Sequence, residues 1–194
     1  MKNKKKETIR TFIAIKLPEN IHKVLKQLQD ELKESMPDVR WTKYGNIHLT
    51  LKFLGDTPVS QVDFIDEKLR EISGKFSSFN MILEGVGAFP NSRKPRIIWA
   101  GINTTDETLE NLAKQIEKEM DKIGFPKEKR KFKPHLTIGR IRKLNNPTVM
   151  SKVLENIQIR KIGEFTVESV SFIESQLDPG GSIYTTLCDA PLSI

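Results

Sequence analysis

The sequence predicts an α+β fold made of two pseudo-symmetric β-α-β lobes, with antiparallel sheets that face each other across a central cleft and helices on the outside. Two observations predict this fold. The tripeptide His-Leu-Thr occurs twice, at residues 48–50 and 135–137, and its two histidines are 87 positions apart. Each tripeptide also follows the same order of a strand-like and a helix-like segment. A repeated unit of matched length is much harder to obtain by chance than a repeated tripeptide.

The first repeat begins with residues 10–18, RTFIAIKLP, a short apolar run typical of a strand. A helix is predicted next, because apolar side chains recur there at helical spacing. These side chains are Ile21, Val24, Leu25, Leu28 and Leu32. The strand that carries His48 completes the unit.

The second repeat has the same order. Residues 96–104, RIIWAGINT, predict a strand. Thr104 and Glu107 predict a capping box at the start of the next helix, and Gly124 predicts its end. The apolar stripe of this helix consists of Leu109, Leu112, Ala113, Ile116, Met120 and Ile123. The strand that carries His135 follows.

Further elements are predicted between and after the repeats. Apolar residues at helical spacing predict a helix over residues 62–72, and Asn146 with Pro147 predicts the start of another. A strand is expected near residues 79–86. Two more strands are expected on either side of the Asp-Pro-Gly-Gly turn at 178–181.

Composition and charge narrow the class of protein. The hydrophobic fraction of 37% and the charged fraction of 29% are those of a soluble globular protein. No linker divides the chain, so we expect one domain over residues 1–194, with residues 1–8 as a disordered basic tail. A single cysteine, Cys188, and the lack of a signal peptide or membrane span predict a cytoplasmic protein. The net charge of +7, with a basic segment at residues 127–133 (KEKRKFK), favours a polyanionic partner.

The repeated tripeptide has the side chains that phosphoryl transfer requires. Because side chains alternate along a strand, His48 shares a face with Thr50, and His135 shares one with Thr137. Displacement at phosphorus needs one group that takes a proton from the nucleophile and another that gives a proton to the leaving oxygen. Histidines can hold both states near neutral pH, and hydroxyl groups can donate to the non-bridging oxygens. The pattern therefore indicates phosphoryl chemistry without a metal or another cofactor.

Other kinds of site fit the sequence less well. Two histidines without a matching carboxylate or cysteine cluster do not complete a metal site. The chain has no GxxxxGK[ST] phosphate loop and no GxSxG nucleophile elbow. We interpret Cys188 as a small buried residue and His22 as a solvent-side residue with no role in the site.

At these residues the sequence resembles the two-histidine phosphoesterase superfamily, which is defined by paired His-x-Thr-x motifs. Within it, the likeness is to the bacterial and archaeal RNA 2',3'-cyclic phosphodiesterases, historically called 2'-5' RNA ligases. Four segments carry the resemblance over nearly the whole chain: RTFIAIKLP, HLTLKFLG, FPNSRKPRIIWAG and FKPHLTIGR. The resemblance implies that His48 donates a proton to the leaving 3' oxygen and that His135 accepts one from water. It implies that Thr50 and Thr137 hold the phosphate.

The resemblance also implies two substrate-binding residues that flank the terminal base, Phe53 and Arg140. Each lies five positions after one of the motif histidines. Strand alternation places Phe53 in phase with Leu49 and Leu51, so a core position and a base platform both stay open for it. Arg140 also falls in an apolar phase. Either the strand ends or bulges there, or the side chain reaches the cleft to contact a base or a phosphate.

The implied reaction opens a terminal RNA 2',3'-cyclic phosphate to a 2'-phosphomonoester, and the family can also join RNA ends by a 2'-5' linkage. The expected partner is RNA with such an end, for example a tRNA fragment, or a nucleotide. We expect a monomer that does not bind membranes. Two alternatives stay open. One is a non-catalytic protein that binds RNA or nucleotides, and the other is a phosphodiesterase for another cyclic phosphate or a 2'-5' oligonucleotide.

Overall fold

The structure is a computed structural model that describes residues 7–143, 147–157 and 161–194. Within these residues the chain forms nine strands and four helices. The strands are β1 (Thr8–Lys16), β2 (Val39–Trp41), β3 (His48–Pro58), β4 (Phe79–Phe89), β5 (Ile97–Thr104), β6 (His135–Ile141), β7 (Lys161–Val167), β8 (Ser169–Asp178) and β9 (Gly181–Pro191). The helices are α1 (Glu19–Lys33), α2 (Val62–Ser73), α3 (Thr108–Lys122) and α4 (Pro147–Asn156), and a 3-10 turn at Val59–Gln61 precedes α2.

The strands form two antiparallel sheets. The first has the order β3-β1-β8-β9, and the second has the order β2-β6-β5-β4-β7. The sheets face each other and the helices lie on the outside, so the predicted fold class is confirmed. One short strand, β2, comes from the first repeat but joins the second sheet beside β6.

The duplication is visible in the strand pairing. In the first sheet β1 pairs with β3, and in the second β5 pairs with β6, so each His-Leu-Thr strand lies against the first strand of its own repeat. The helix of each repeat lies between these two strands along the chain. The predicted strand-helix-strand order is therefore confirmed in both halves.

The apolar stripes of the two repeat helices lie in the core. In α1, four of the five predicted residues are buried, and Val24 is half-buried. In α3, Leu109, Leu112, Ala113, Ile116 and Met120 are buried and Ile123 packs against them. Both stripes belong to one hydrophobic cluster that also contains residues of both sheets. Within the described residues, no helix combines the length and apolarity that crossing a membrane requires.

Several local expectations differ from the structure. The capping box is wrong: α3 starts at Thr108, whose amide donates to Asp106 Oδ1, while the Thr104 hydroxyl donates to the Asp106 carbonyl. The expected tail of residues 1–8 is too long, because the Glu7 carbonyl accepts from the Val59 amide and Thr8 already begins β1. Residues 1–6 lie outside the described residues.

The later elements also show differences. The helix predicted after Asn146 is present from Pro147, whereas Asn146 itself lies outside the described residues. The sequence did not predict β2 or separate β7 from the strands that follow it. β2 has only three residues, too few to show the alternation that identifies a strand. Only Glu168 separates β7 from β8, so the alternating pattern gives little sign of a boundary between them.

Candidate active site

The two repeated motifs occupy equivalent places in the two sheets. His48 is the first residue of β3, and His135 is the first residue of β6. These two strands contact each other although they belong to different sheets. The fold therefore brings the two strands that carry the motifs into contact.

Each motif histidine is held by the backbone in the same way. Nδ1 of His48 lies 3.0 Å from the Asn46 carbonyl oxygen, and Nδ1 of His135 lies 2.7 Å from that of Lys133. A carbonyl can only accept, so Nδ1 carries the hydrogen in both rings. In its neutral form each ring then has Nε2 as its acceptor, and in its charged form Nε2 can donate. Both histidines thus present the same nitrogen for proton transfer.

A bulge in β3 changes the face on which Phe53 lies. Thr50 pairs with Ala14 on β1 and Lys52 pairs with Ile13, so Leu51 is an extra residue between the two pairs. After the bulge, Phe53 pairs with Phe12, which is in phase with Ala14. Phe53 therefore lies on the face of Thr50, and its side chain is 58% exposed. The core position that strand alternation favoured is excluded, because alternation fails across a bulge.

A bulge of the same kind is present in β6. Thr137 pairs with Trp99 and Gly139 pairs with Ile98, so Ile138 is the extra residue. Arg140 then pairs with Ile97, which is in phase with Trp99 and hence with Thr137. The arginine is exposed on the histidine-bearing face of the second sheet. Of the possibilities that the sequence left open for Arg140, the structure has the bulge.

The surroundings of His48 are aromatic. Its ring stacks on Phe12 at 4.7 Å between centroids, and Tyr184 contacts it edge-on at 5.2 Å. Phe12 also lies 6.1 Å from Phe53. Burial lowers the pKa of His48 from 6.5 to about 4, because the charged ring loses hydration, although the hydrogen bond to Asn46 opposes this. His48 is therefore neutral at pH 7 in the protein without ligand.

His135 has a matching aromatic neighbour in the second sheet. Phe89 contacts it edge-on, with 4.9 Å between centroids, and Trp99 lies 5.4 Å from Phe89. Trp99 covers Gly87 so closely that a Cβ at that glycine would come within 2.3 Å of the indole. His48 thus lies against an aromatic ring from the adjacent strand β1, and His135 lies against one from β4, which is on the far side of β5 in the same sheet.

Gln29 supports the second motif from α1 and was not predicted from the sequence. Its side chain is buried, and its Nε2 donates to the carbonyls of Thr42 and Ile138, at 2.9 Å each. Ile138 is the bulged residue of β6. The Thr42 hydroxyl also donates to the Thr137 carbonyl. A helix of the first repeat therefore holds the strand that carries His135, and no pattern along the chain indicates such a contact.

The interpretation of His22 as a solvent-side residue is wrong. His22 is 9% exposed, and its ring lies 5.6 Å from that of Tyr44. Burial lowers its pKa, and a charge on it would lower the pKa of His48 as well. Cys188 is buried, as expected. Burial raises its pKa to about 12, so the thiol is not ionised at neutral pH.

The chain is similar to known proteins over both of its repeats. The family model described as "LigT like Phosphoesterase" matches two segments, residues 15–99 and 102–184, and each segment contains one His-x-Thr motif. A protein of Methanothermobacter thermautotrophicus named RNA 2',3'-cyclic phosphodiesterase is 32% identical over 179 residues, which cover 92% of this chain and 96% of that protein. A protein of Methanocaldococcus jannaschii with the same name is 35% identical, with 92% and 98% covered.

Solved structures agree on the fold. A Thermus thermophilus protein superposes with a TM-score of 0.80 over 95% of this chain and 98% of its own, at 24% identity. Escherichia coli LigT complexed with 3'-AMP superposes with a TM-score of 0.73 over 97% of this chain and 100% of its own, at 23% identity. From the duplicated motif, the matched segments and these relatives, we conclude that the chain belongs to the LigT-like phosphoesterase family.

Proposed function

We propose that the protein is a metal-independent RNA 2',3'-cyclic phosphodiesterase that converts a terminal 2',3'-cyclic phosphate to a 2'-phosphomonoester. The relatives that carry this activity in their names support the substrate class. The observation that carries the proposal is the matched orientation of His48 and His135, each with Nδ1 bonded to the carbonyl two residues earlier. A protein that only bound RNA would not need two such proton-transfer groups.

In the proposed reaction, a water oxygen attacks phosphorus and the bond from phosphorus to the 3' oxygen breaks. Nε2 of His135 takes the proton from the water, and Nε2 of His48 gives a proton to the departing 3' oxygen. The hydroxyls of Thr50 and Thr137 donate to the non-bridging oxygens, where negative charge increases. One water is consumed, and the protein regains its starting protonation when a proton passes from His135 to His48 through solvent.

The donor role of His48 requires a pKa that rises when substrate binds. Without ligand, its pKa is about 4, so little of the donor form exists at pH 7. A phosphate anion beside the ring favours the charged form. Because kcat/KM reports the free enzyme and kcat the complex, we expect the alkaline limb of kcat at a higher pH than that of kcat/KM. Coincident alkaline limbs would assign the donor role elsewhere.

The direct test is turnover of RNA that ends in a 2',3'-cyclic phosphate. We expect His48→Ala and His135→Ala each to lower kcat by roughly 10²-fold or more, since proton transfers contribute on that scale. The third histidine offers a matched control, and His22→Gln is expected to retain most of the activity. Full turnover by both motif variants would refute the proposal.

Product analysis tests the regiochemistry and the metal independence together. We expect a mononucleoside 2',3'-cyclic phosphate, incubated with the protein and excess EDTA, to give the 2'-monoester. A 3'-monoester would contradict the role of His48 as donor to the 3' oxygen. Loss of activity in EDTA that Mg²⁺ or Zn²⁺ restores would contradict metal independence.

The same site can also account for 2'-5' ligation. An RNA 5'-hydroxyl takes the place of the attacking water, and the same bond to the 3' oxygen breaks, so His135 and His48 keep their roles. We expect ligated product only when an RNA with a 5'-hydroxyl is present at high concentration, because water competes for the same phosphate. The His48→Ala variant should lose both reactions in parallel.

A further inference from the structure

A second arginine lies beside Arg140 on the histidine-bearing face of the second sheet. Arg40 on β2 pairs directly with Arg140 on β6, and Ile97 on β5 pairs with Arg140 from the other side. Residues that pair across antiparallel strands have their side chains on the same face. Arg40 therefore extends the row that begins with Ile97 and Arg140, on the face that also carries Thr137.

The neighbours of Arg40 confirm this orientation. Val39 is buried, and Trp41 packs against the core cluster. Trp41 pairs with Gly139, where an added Cβ would lie 2.6 Å from Val39. The two residues that flank Arg40 thus point into the core, so Arg40 points the opposite way. Both Arg40 and Arg140 are exposed.

Two cations directly opposite each other in a sheet are destabilising. Among the described residues, no aspartate or glutamate oxygen lies within 4 Å of either guanidinium. The repulsion is therefore not relieved by an ion pair in the described part of the chain. An anion placed between the two guanidinium groups would relieve it.

The turn between β8 and β9 lies close to Arg40. At Gly181 a Cβ would lie 3.5 Å from Nη2 of Arg40 and 3.8 Å from Nζ of Lys43. The acidic residue of this turn, Asp178, has Oδ1 bonded to the Gly180 amide. Position 181 has a φ of +121°, a backbone conformation that favours glycine, so the turn presents no side chain to Arg40 at this position. The turn belongs to the first sheet, so the arginine pair lies where the two sheets approach each other.

We infer that Arg40 and Arg140 together bind a backbone phosphate of the RNA, the phosphodiester that precedes the terminal cyclic nucleotide. Planar guanidinium groups match phosphate oxygens in a bidentate manner, and binding is stronger where two of them share one anion. The inference rests on the proposed function for the identity of the substrate. It specifies the substrate class, an oligonucleotide end rather than a mononucleotide.

The test compares two substrates with the wild type and Arg40→Met, which keeps the aliphatic stem and removes the charge. The first is a mononucleoside 2',3'-cyclic phosphate, which lacks a preceding phosphodiester. The second is a dinucleotide with the same cyclic end. We expect Arg40→Met to lower kcat/KM for the dinucleotide about tenfold or more, the scale of a hydrogen bond to a charged group, and to leave the mononucleotide unchanged. Arg40→Lys should restore part of the loss.

Two controls separate binding from general effects of charge. Lys114→Met removes an exposed cation from α3 and should leave both substrates unaffected. In the wild type, replacing the dinucleotide linkage with an uncharged methylphosphonate should reproduce the loss seen in Arg40→Met. The salt dependence of dinucleotide affinity should also become shallower in Arg40→Met, because salt screens the charge contact that this variant removes.

The outcomes distinguish this inference from the proposed function. Equal loss on both substrates, or no loss on either, overturns the role of Arg40 while hydrolysis itself stands. If the wild type hydrolyses neither substrate, the proposed function fails. The arginine pair is then tested by the affinity for a dinucleotide with a terminal 2'-phosphate. A lower affinity in Arg40→Met supports the inference, and an unchanged affinity overturns it.

Discussion

The imidazole of His48 stacks on the ring of Phe12, with the centroids 4.7 Å apart and the planes inclined by 26°. This contact belongs to a small cluster of Phe12, Ala14 and Ile173, against which Tyr184 packs. The cluster is separate from the main core, so one side of the site has its own apolar support. Burial lowers the pKa of His48, and we expect this cluster to provide much of that burial.

His48 should make stability depend on pH. Its pKa is about 4 when folded and 6.5 ordinarily, so below pH 6.5 the unfolded chain binds a proton that the folded one does not. The free energy of unfolding is therefore unaffected by His48 above pH 6.5 and falls as the pH drops towards 4. The total loss is about 3 kcal/mol, at about 1.36 kcal/mol for each unit by which the pKa is lowered. Urea unfolding from pH 7 to 4 should show a smaller loss for His48→Gln than for the wild type. Parallel curves would disprove this linkage.

Phe12 should control that pKa. Replacing it with alanine opens the stacked side of the ring to water, which restores hydration of the charged form. In an NMR titration of the ring protons, we expect the pKa of His48 to move from about 4 towards 6.5 in Phe12→Ala. A pKa that stays near 4 would mean that the burial comes from elsewhere.

The contact of Gln29 with the β6 bulge should stabilise the protein. Gln29→Met keeps the volume but removes the hydrogen bonds to Thr42 and Ile138. Because these groups are buried, we expect the free energy of unfolding to fall by about 1–3 kcal/mol. Gln27→Met is the control, since Gln27 is exposed on the same helix, and it should change stability by no more than about 0.5 kcal/mol. Equal effects of the two variants would contradict this role.

Lys52 is a fully buried cation, and we expect the folded protein to depend on the groups that pair with it. Its Nζ donates to Glu117 Oε1 at 2.8 Å and to the Pro126 carbonyl at 2.9 Å, and Glu117 also accepts from the Glu128 amide. Removing one partner of a buried pair leaves an uncompensated charge, so Glu117→Ala should cost about 3–5 kcal/mol.

Replacing the other partner of the pair, Lys52, should lower the free energy of unfolding by less. Lys52→Met replaces the cation with an apolar side chain of similar size, and Glu117 remains partly exposed to water. We therefore expect Lys52→Met to destabilise less than Glu117→Ala in denaturant unfolding. Glu119→Ala serves as a control, because its partner Lys122 is exposed and such pairs contribute roughly 0–1 kcal/mol. A larger cost for Lys52→Met than for Glu117→Ala would contradict this order.

Phe53 should affect substrate binding and not folding. Its side chain is 58% exposed beside the site, so Phe53→Ser removes little buried area. If it stacks on a base, KM should rise by about tenfold, since such stacking contributes about 1–3 kcal/mol. Phe64→Ser, which alters an aromatic side chain 44% exposed on α2, is the matched control and should leave KM unchanged. A melting temperature that falls much more for Phe53→Ser than for Phe64→Ser would argue for a structural role.

Local periodicity was enough to predict most of the architecture. The repeat of strand, helix and strand was predicted because helical and strand periodicities depend only on neighbouring residues. The shared face of His48 and Thr50 follows from the same alternation. The position of Phe53 could not be predicted, because Leu51 forms a bulge and reverses the alternation beyond it. A bulge depends on pairing with another strand, and β1 is 30 or more residues away along the chain.

By itself, the sequence determined the duplication, the buried stripes of α1 and α3, and the shared strand face of the histidine and the threonine in each motif. Only the tertiary structure decided which side chains surround them. Gln29 reaches the second motif from the first repeat, β2 crosses to place Arg40 beside Arg140, and Tyr184 contacts His48 from β9. These contacts join residues that are distant in the chain. They arise from helix packing and strand pairing between distant segments, which local patterns do not encode.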